Sequence, residues 1–191
     1  DLLAAADQHL SQSVSPEAIT GRRLVAAAAP MGCGKTVWAR QLVAPYLAEG
    51  TPILGPTHRT SLGEAQAEAL GIPWAAEPGT DARLQGTGLC WDSLRPSSAL
   101  QIHPETWSGP DGRGPVLILD EIAQGIEHVL FGTGTAVADH RPATMATTAE
   151  LLRRCRFALA LDAQLSDPVL RLLETLTGEQ ACLIRSKRQP M

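Results

Sequence analysis

Lysine is nearly missing from this chain: only Lys35 and Lys187 occur, and the remaining positive charge is arginine. The formal net charge is −4 at pH 7, so no global attraction to a polyanion exists. Any nucleic-acid contact must come from a local basic patch. No uncharged apolar run approaches the ~20 residues that a membrane-spanning helix needs, so no membrane association is expected. Paired cysteines are absent too. Cys33, Cys90, Cys155 and Cys182 stand far apart with no C-x-x-C, which argues against zinc and against a disulfide framework. Reduced thiols in the cytoplasm are the simplest reading. There is no internal repeat. The chain opens on Asp1 rather than Met, which leaves any upstream targeting segment open. What remains, in 191 residues, suffices for one α/β domain with a real core, or one lobe of something larger.

Against this background one stretch stands out, Leu24 to Thr36, LVAAAAPMGCGKT. Small and branched apolar residues run into Pro30 and Met31, then Gly32, Cys33, Gly34, Lys35 and Thr36, with a helical pattern behind them. A strand, a glycine loop and a helix start in that order make a phosphate-binding loop. Gly32 and Gly34 let the backbone approach a polyphosphate, and the N–H groups from Gly32 to Thr36 face it at the positive end of a helix dipole. Lys35 supplies a charge for the β- and γ-phosphates, and the Thr36 hydroxyl is a natural Mg²⁺ ligand. Ala29 stands where the pattern has its first glycine, a position that only needs to be small.

Periodicity places the other elements. Residues 1–20 are expected to form a short helix (Leu2 to Leu10) and a polar linker, with the ATP-binding domain at 21–191. The helix after the phosphate loop stops near Gly50. PILGP (52–56) reads as a buried strand, a helix opens at Thr57 to Thr60 and ends at Gly71, and residues 72–86 and 95–115 read as loop. GLCW (88–91), VLIL (116–119), FALAL (157–161) and 181–184 are further strands, with helices after Asp120-Glu121, at 143–156 and at 168–177. FGTGTA (131–136) reads as a flexible loop. Alternating strands and helices call for a parallel sheet covered on both faces.

The second chemical signal is VLILDE, Val116 to Glu121. Four apolar residues carry Asp120 to the carboxyl end of a strand, the edge where α/β sheets bind ligands. There Asp120 can hold Mg²⁺ through water, and Glu121 can orient and deprotonate an attacking water. An acidic pair capping the next helix would look the same in sequence.

Together these stretches resemble the first RecA-like lobe of a superfamily 2 (DEAD/DEAH-type) helicase, with APMGCGKT as motif I and DEIA as motif II. Pro56 to Leu62 (PTHRTSL) resembles motif Ia, LCWDSL (89–94) falls where the next nucleic-acid-facing segment is expected, and LALDAQLSD (159–167) occupies the place of motif III. The wording looks most like plasmid and viral origin-binding replication helicases. The resemblance implies a P-loop NTPase of RecA-like α/β fold, with ATP and Mg²⁺ as cofactors, single-stranded DNA as partner and a second helicase lobe. It implies nucleic-acid contact at Thr57, His58, Arg59, Asp92 and Ser93, and γ-phosphate sensors at Asp162 and Gln164, with Gln164 among the catalytic residues. Motif III departs from its usual Ser-Ala-Thr, since Asp162-Ala163-Gln164 stands there.

Other features admit two readings. Arg153, Arg154 and Arg156 can contact phosphates or form a solvated helix face, and His58-Arg59 has the same alternative. The four tryptophans (Trp38, Trp74, Trp91 and Trp107) read as core or loop anchors rather than base-stacking platforms. Pro30-Met31 and Asp120-Glu121 also resemble type II thymidine kinases, although the paired zinc-binding cysteines of those enzymes are absent here. A nucleotide-dependent binding module without turnover is the third possibility.

Overall fold

The computed structural model describes residues 2–4, 9–75 and 86–186. Seven strands, β1 (Leu2–Ala4), β2 (Leu24–Ala28), β3 (Ile53–Thr57), β4 (Gly86–Cys90), β5 (Val116–Asp120), β6 (Phe157–Asp162) and β7 (Cys182–Ser186), form one sheet. Their spatial order is β1-β7-β2-β6-β5-β3-β4, and every pairing between them is parallel. The helices are α1 (Leu10–Ser13), α2 (Lys35–Ala48), α3 (Thr60–Leu70), α4 (Ile122–Phe131), α5 (Arg141–Arg154) and α6 (Asp167–Thr177). Short 3-10 turns occupy Pro16–Ile19 and Trp91–Leu94.

The near-continuous apolar composition of β2, β5 and β6 follows from burial on both faces. Alternate residues divide between two cores. Val25, Ala27, Val116, Ile118, Phe157 and Leu159 pack with Trp38, Leu42 and Leu70 of α2 and α3. Leu24, Ala26, Leu117, Leu119, Ala158 and Ala160 pack with Val129, Leu151 and Leu173 of α4, α5 and α6. All four tryptophans are buried, as anchors should be. Trp91 lies against Gly125 so closely that a Cβ there would meet the indole Nε1 at 2.4 Å.

The N-terminus differs from expectation. Leu2–Ala4 is not the start of a helix; it is an edge strand paired in parallel with β7, Leu2 opposite Ile184. A short apolar run cannot distinguish the two by periodicity, and the open edge of β7 decides the matter. Nor do residues 9–20 behave as a linker, because Leu10, Val14 and Ile19 belong to the core. The loop expected at 72–86 contains a one-residue bridge from Trp74 to Gly88; its residues 76–85 lie outside the described residues. At the C-terminal end Arg185 and Ser186 complete β7, and 187–191 lie outside the described residues too.

Candidate functional site

Register brings the chemistry to one edge. Ala28 at the end of β2 lies opposite Asp162 at the end of β6, and Asp120 at the end of β5 lies opposite Leu161. The phosphate-type loop, Asp120 and Asp162 therefore leave the sheet side by side at its carboxyl edge. A cavity of about 490 Å³ opens there, lined by Gly32, Gly34, Lys35, Thr36, Asp120, Glu121 and Asp162 among others.

The loop adopts its turn through glycine. Gly32 (φ +74°) and Gly34 (φ +71°) are both left-handed, and nothing lies within 4 Å of the position a Gly32 Cβ would take. Gly34 is the N-cap of α2 and offers no side-chain acceptor, so the first-turn N–H groups lack intrahelical partners and face the cavity side of the helix. Gly34 also touches His9, which lines the same cavity and whose Nδ1 would lie 2.5 Å from an added Cβ. Lys35 bends back over the loop and donates to the carbonyls of Ala29 (2.8 Å) and Pro30 (3.1 Å).

Asp120 is buried, and burial pushes its carboxyl above the ordinary range. The Lys35 charge and the Glu121 N–H, which donates to Asp120 Oδ1 at 3.1 Å, pull it back; the Glu121 and Asp162 carboxylates add to the upward push. Asp162 is 7 % exposed. Its Oδ2 accepts from the Ala123 N–H and its Oδ1 from the Gln164 N–H, each at 2.9 Å, so it fastens the start of α4 to the end of β6. Glu121 is the N-cap of α4 and, without being glycine, sits at φ 49°, ψ 45°. Such a backbone stores on the order of 1–3 kcal/mol. Its carboxylate lies 3.8 Å from His58 Nδ1.

Among the described residues no three His, Cys, Asp or Glu side chains are arranged to hold a metal by themselves. Mg²⁺ commonly takes one or two protein ligands and completes its octahedron with water and substrate phosphates. The donors present, the Thr36 hydroxyl and the Asp120 carboxylate, both line the same cavity.

Several expected site residues lie elsewhere. Gln164 is exposed and lines a separate cleft of about 710 Å³ with Pro30, Leu165 and Arg185; Asp162 takes the place at the loop. Directly after β6 the chain turns, the Gln164 N–H donating back to Asp162 Oδ1, and Gln164 lies at the surface. Met31 is 84 % exposed and borders both spaces. Cys33 is 2 % exposed with its side chain in the core, so only its backbone can serve a phosphate. Thr57 is fully buried and donates to the Arg59 carbonyl. Asp92 accepts from the Val137 N–H at 3.0 Å and lies 2.9 Å from His128 Nε2; it is engaged inside the fold. Ser93 is half-buried and Arg59 exposed. Arg153, Arg154 and Arg156 flank the opposite edge, where Glu150 holds the first two and Glu49 and Asp111 hold Arg156 over the Tyr46 ring. The contacts Asp162–Ala123, His58–Glu121 and His128–Asp92 join residues remote in sequence, and no local pattern announces them.

A parallel sheet with helices on both faces and a glycine loop entering a helix at its carboxyl edge is the RecA-like α/β arrangement. No model of a known protein family matches the chain, and no curated protein matches it. Among solved structures, the crystal structure of a DEAD box protein from the hyperthermophile Methanococcus jannaschii superposes with a TM-score of 0.53 at 15 % identity, over 87 % of this chain and 46 % of that one. The likeness establishes the RecA-like fold. The chain spans less than half the length of that protein. No helix among the described residues is long and apolar enough to cross a membrane.

Proposed function

We propose that this chain is the ATP-binding lobe of a DNA helicase or translocase of the plasmid or viral replication type, working with a second lobe. The observation that carries the reading is the convergence of Lys35, Thr36, Asp120, Glu121 and Asp162 on one cavity at the carboxyl edge of a RecA-like sheet. In this reading the first-turn N–H groups of α2 and the Lys35 ammonium grip the phosphates. Lys35 exchanges two carbonyl acceptors for phosphate oxygens, which needs only a swing of a flexible side chain. Thr36 and Asp120 would hold Mg²⁺, which supplies charge neutralisation at the phosphates. Asp120, raised by burial, would return to its ionised form beside such a cation. Glu121 orients the attacking water and takes its proton. Asp162 keeps Glu121 in place by holding the first turn of α4 at Ala123.

Single-stranded DNA is assigned to the β3–β4 side of the same edge, with Arg59 as its exposed cation. Helicases of this type receive a transition-state arginine from the second lobe, worth roughly 10³–10⁵ in rate. The lobe alone is therefore expected to bind Mg-nucleotide and to hydrolyse ATP hardly above background. Calorimetric titration with Mg-ADP tests the reading: binding by the wild type, lost in Lys35→Ala, supports it. In a longer chain with both lobes, Glu121→Gln should keep nucleotide binding and lose DNA-stimulated ATPase. Equal turnover by that variant and the wild type would refute the role of Glu121. Robust DNA-stimulated ATPase by residues 1–191 alone would refute the dependence on a second lobe.

A further inference from the structure

Two adjacent residues at the end of β3 face opposite ways. Arg59 is exposed at the carboxyl edge, while the side chain of His58 is nine-tenths buried and turned toward Glu121. Neither ring nitrogen of His58 has a hydrogen-bond partner, although both are shut off from solvent. A buried imidazole without partners is an unfavourable arrangement unless another state of the site supplies one. The nearest candidate is Glu121 Oε2, 3.8 Å from Nδ1. That separation is too long for a hydrogen bond and short enough for a small rotation of either side chain to make one. Glu121 is itself one of two non-glycine residues with positive φ among the described residues, so its position is held by its surroundings and not by backbone preference.

We infer that His58 is the positioning residue of Glu121, and that it couples a polyanion strand gripped at Arg59 to the orientation of the Glu121 carboxylate. This deepens the function proposed above and rests on it. Because residues 58 and 59 share one peptide unit, and Thr57 Oγ1 ties itself to the Arg59 carbonyl, a phosphate drawn onto Arg59 displaces the His58 backbone. The imidazole then closes on Glu121 or withdraws from it. The other titratable groups facing the imidazole are Arg59 and, on α4, His128, which is itself held by Asp92. Thr57 and Asp92, which sequence suggests as DNA ligands, thereby become parts of the frame that holds the coupling pair.

The test uses the full two-lobe protein and the variants His58→Asn, whose amide can replace Nδ1, and His58→Leu, which cannot. With oligo-dT as the strand, His58→Leu is expected to lower the DNA-stimulated kcat about tenfold, a 1.4 kcal/mol change in barrier. The KM for ATP and the oligo-dT affinity should stay within about twofold, and His58→Asn should recover most of the loss. Arg59→Ala should both weaken oligo-dT binding and lower the stimulation that remains at saturation, because the strand then has no grip beside His58. Unchanged stimulation in His58→Leu, or an equal loss in both His58 variants, overturns the coupling. A separate arm needs no ATPase: a double-mutant cycle of His58→Leu and Glu121→Gln on the thermal midpoint of residues 1–191. Non-additive shifts support the pairing and additive shifts overturn it. A wild type that binds no nucleotide would instead bring down the helicase reading, and the coupling with it, whatever the cycle reports.

Discussion

Replacing Asp162 puts the architecture of the site to a quantitative test. Its carboxylate accepts two backbone N–H groups, from Ala123 at the start of α4 and from Gln164 in the loop that follows β6, both at 2.9 Å. The side chain is almost fully removed from solvent. Hydrogen bonds to a charged acceptor contribute about 1.5–3 kcal/mol each, and a buried donor left without a partner carries a similar penalty. The two bonds share one carboxylate and are not additive, so Asp162→Ala should destabilise the chain by about 2–4 kcal/mol. Asp162→Asn keeps one good acceptor and turns an NH₂ against a backbone donor, so about 1–2 kcal/mol is expected. For a domain of this size each kcal/mol lowers the midpoint by about 2–4 °C, giving about 5–15 °C for the alanine variant. Thermal melts of the 191-residue chain followed by circular dichroism measure this. Because Asp162 anchors the turn that carries Glu121, Mg-ADP affinity should fall as well. An alanine variant within about 1 °C of wild type would refute the assignment of Asp162 as the clasp between β6 and α4.

Asp120→Asn should raise the melting midpoint at pH 7 while abolishing Mg-nucleotide binding. A carboxyl whose folded pKa is raised stabilises the protein fully only below its unfolded value, and that contribution is lost as pH rises through the folded value; the variant's advantage should thus shrink toward pH 4. A lower midpoint for Asp120→Asn at pH 7 would contradict the dominance of burial. Among thiols, Cys33 and Cys155 are buried, and burial pushes the Cys155 thiol up to about 11. The half-buried Cys90 and Cys182 should therefore be the first alkylated, and fastest labelling at Cys33 by mass spectrometry would show that the loop opens in solution. Arg59→Ala should weaken single-stranded DNA binding in the two-lobe protein without changing sequence preference and lower the salt slope by about one unit; indifference to both residue and salt would remove DNA from this edge.

The core strands and the glycine loop were legible because each is encoded locally. Unbroken apolar runs such as VLIL and FALAL, each bounded by a helical pattern, read as strands buried on both faces, and Gly32, Gly34 and Lys35 before a helical pattern mark the loop within a few residues of chain. The carboxyl-edge placement of Asp120 and Glu121 followed from the strand that ends there. What sequence could not settle was any feature decided by which strand lies beside which. Leu2–Ala4 is a strand because β7 offers it an unpaired edge, not because of its own propensity. Asp162 rather than Gln164 reaches the loop because β6 inserts between β2 and β5 and its last residue turns there. Asp92 is engaged by His128 and Val137 across more than thirty residues of chain, and His58 meets Glu121 only because β3 lies beside β5. Periodicity reports which face a residue takes. Lateral strand order, settled by the packing of the whole sheet, determines its neighbours.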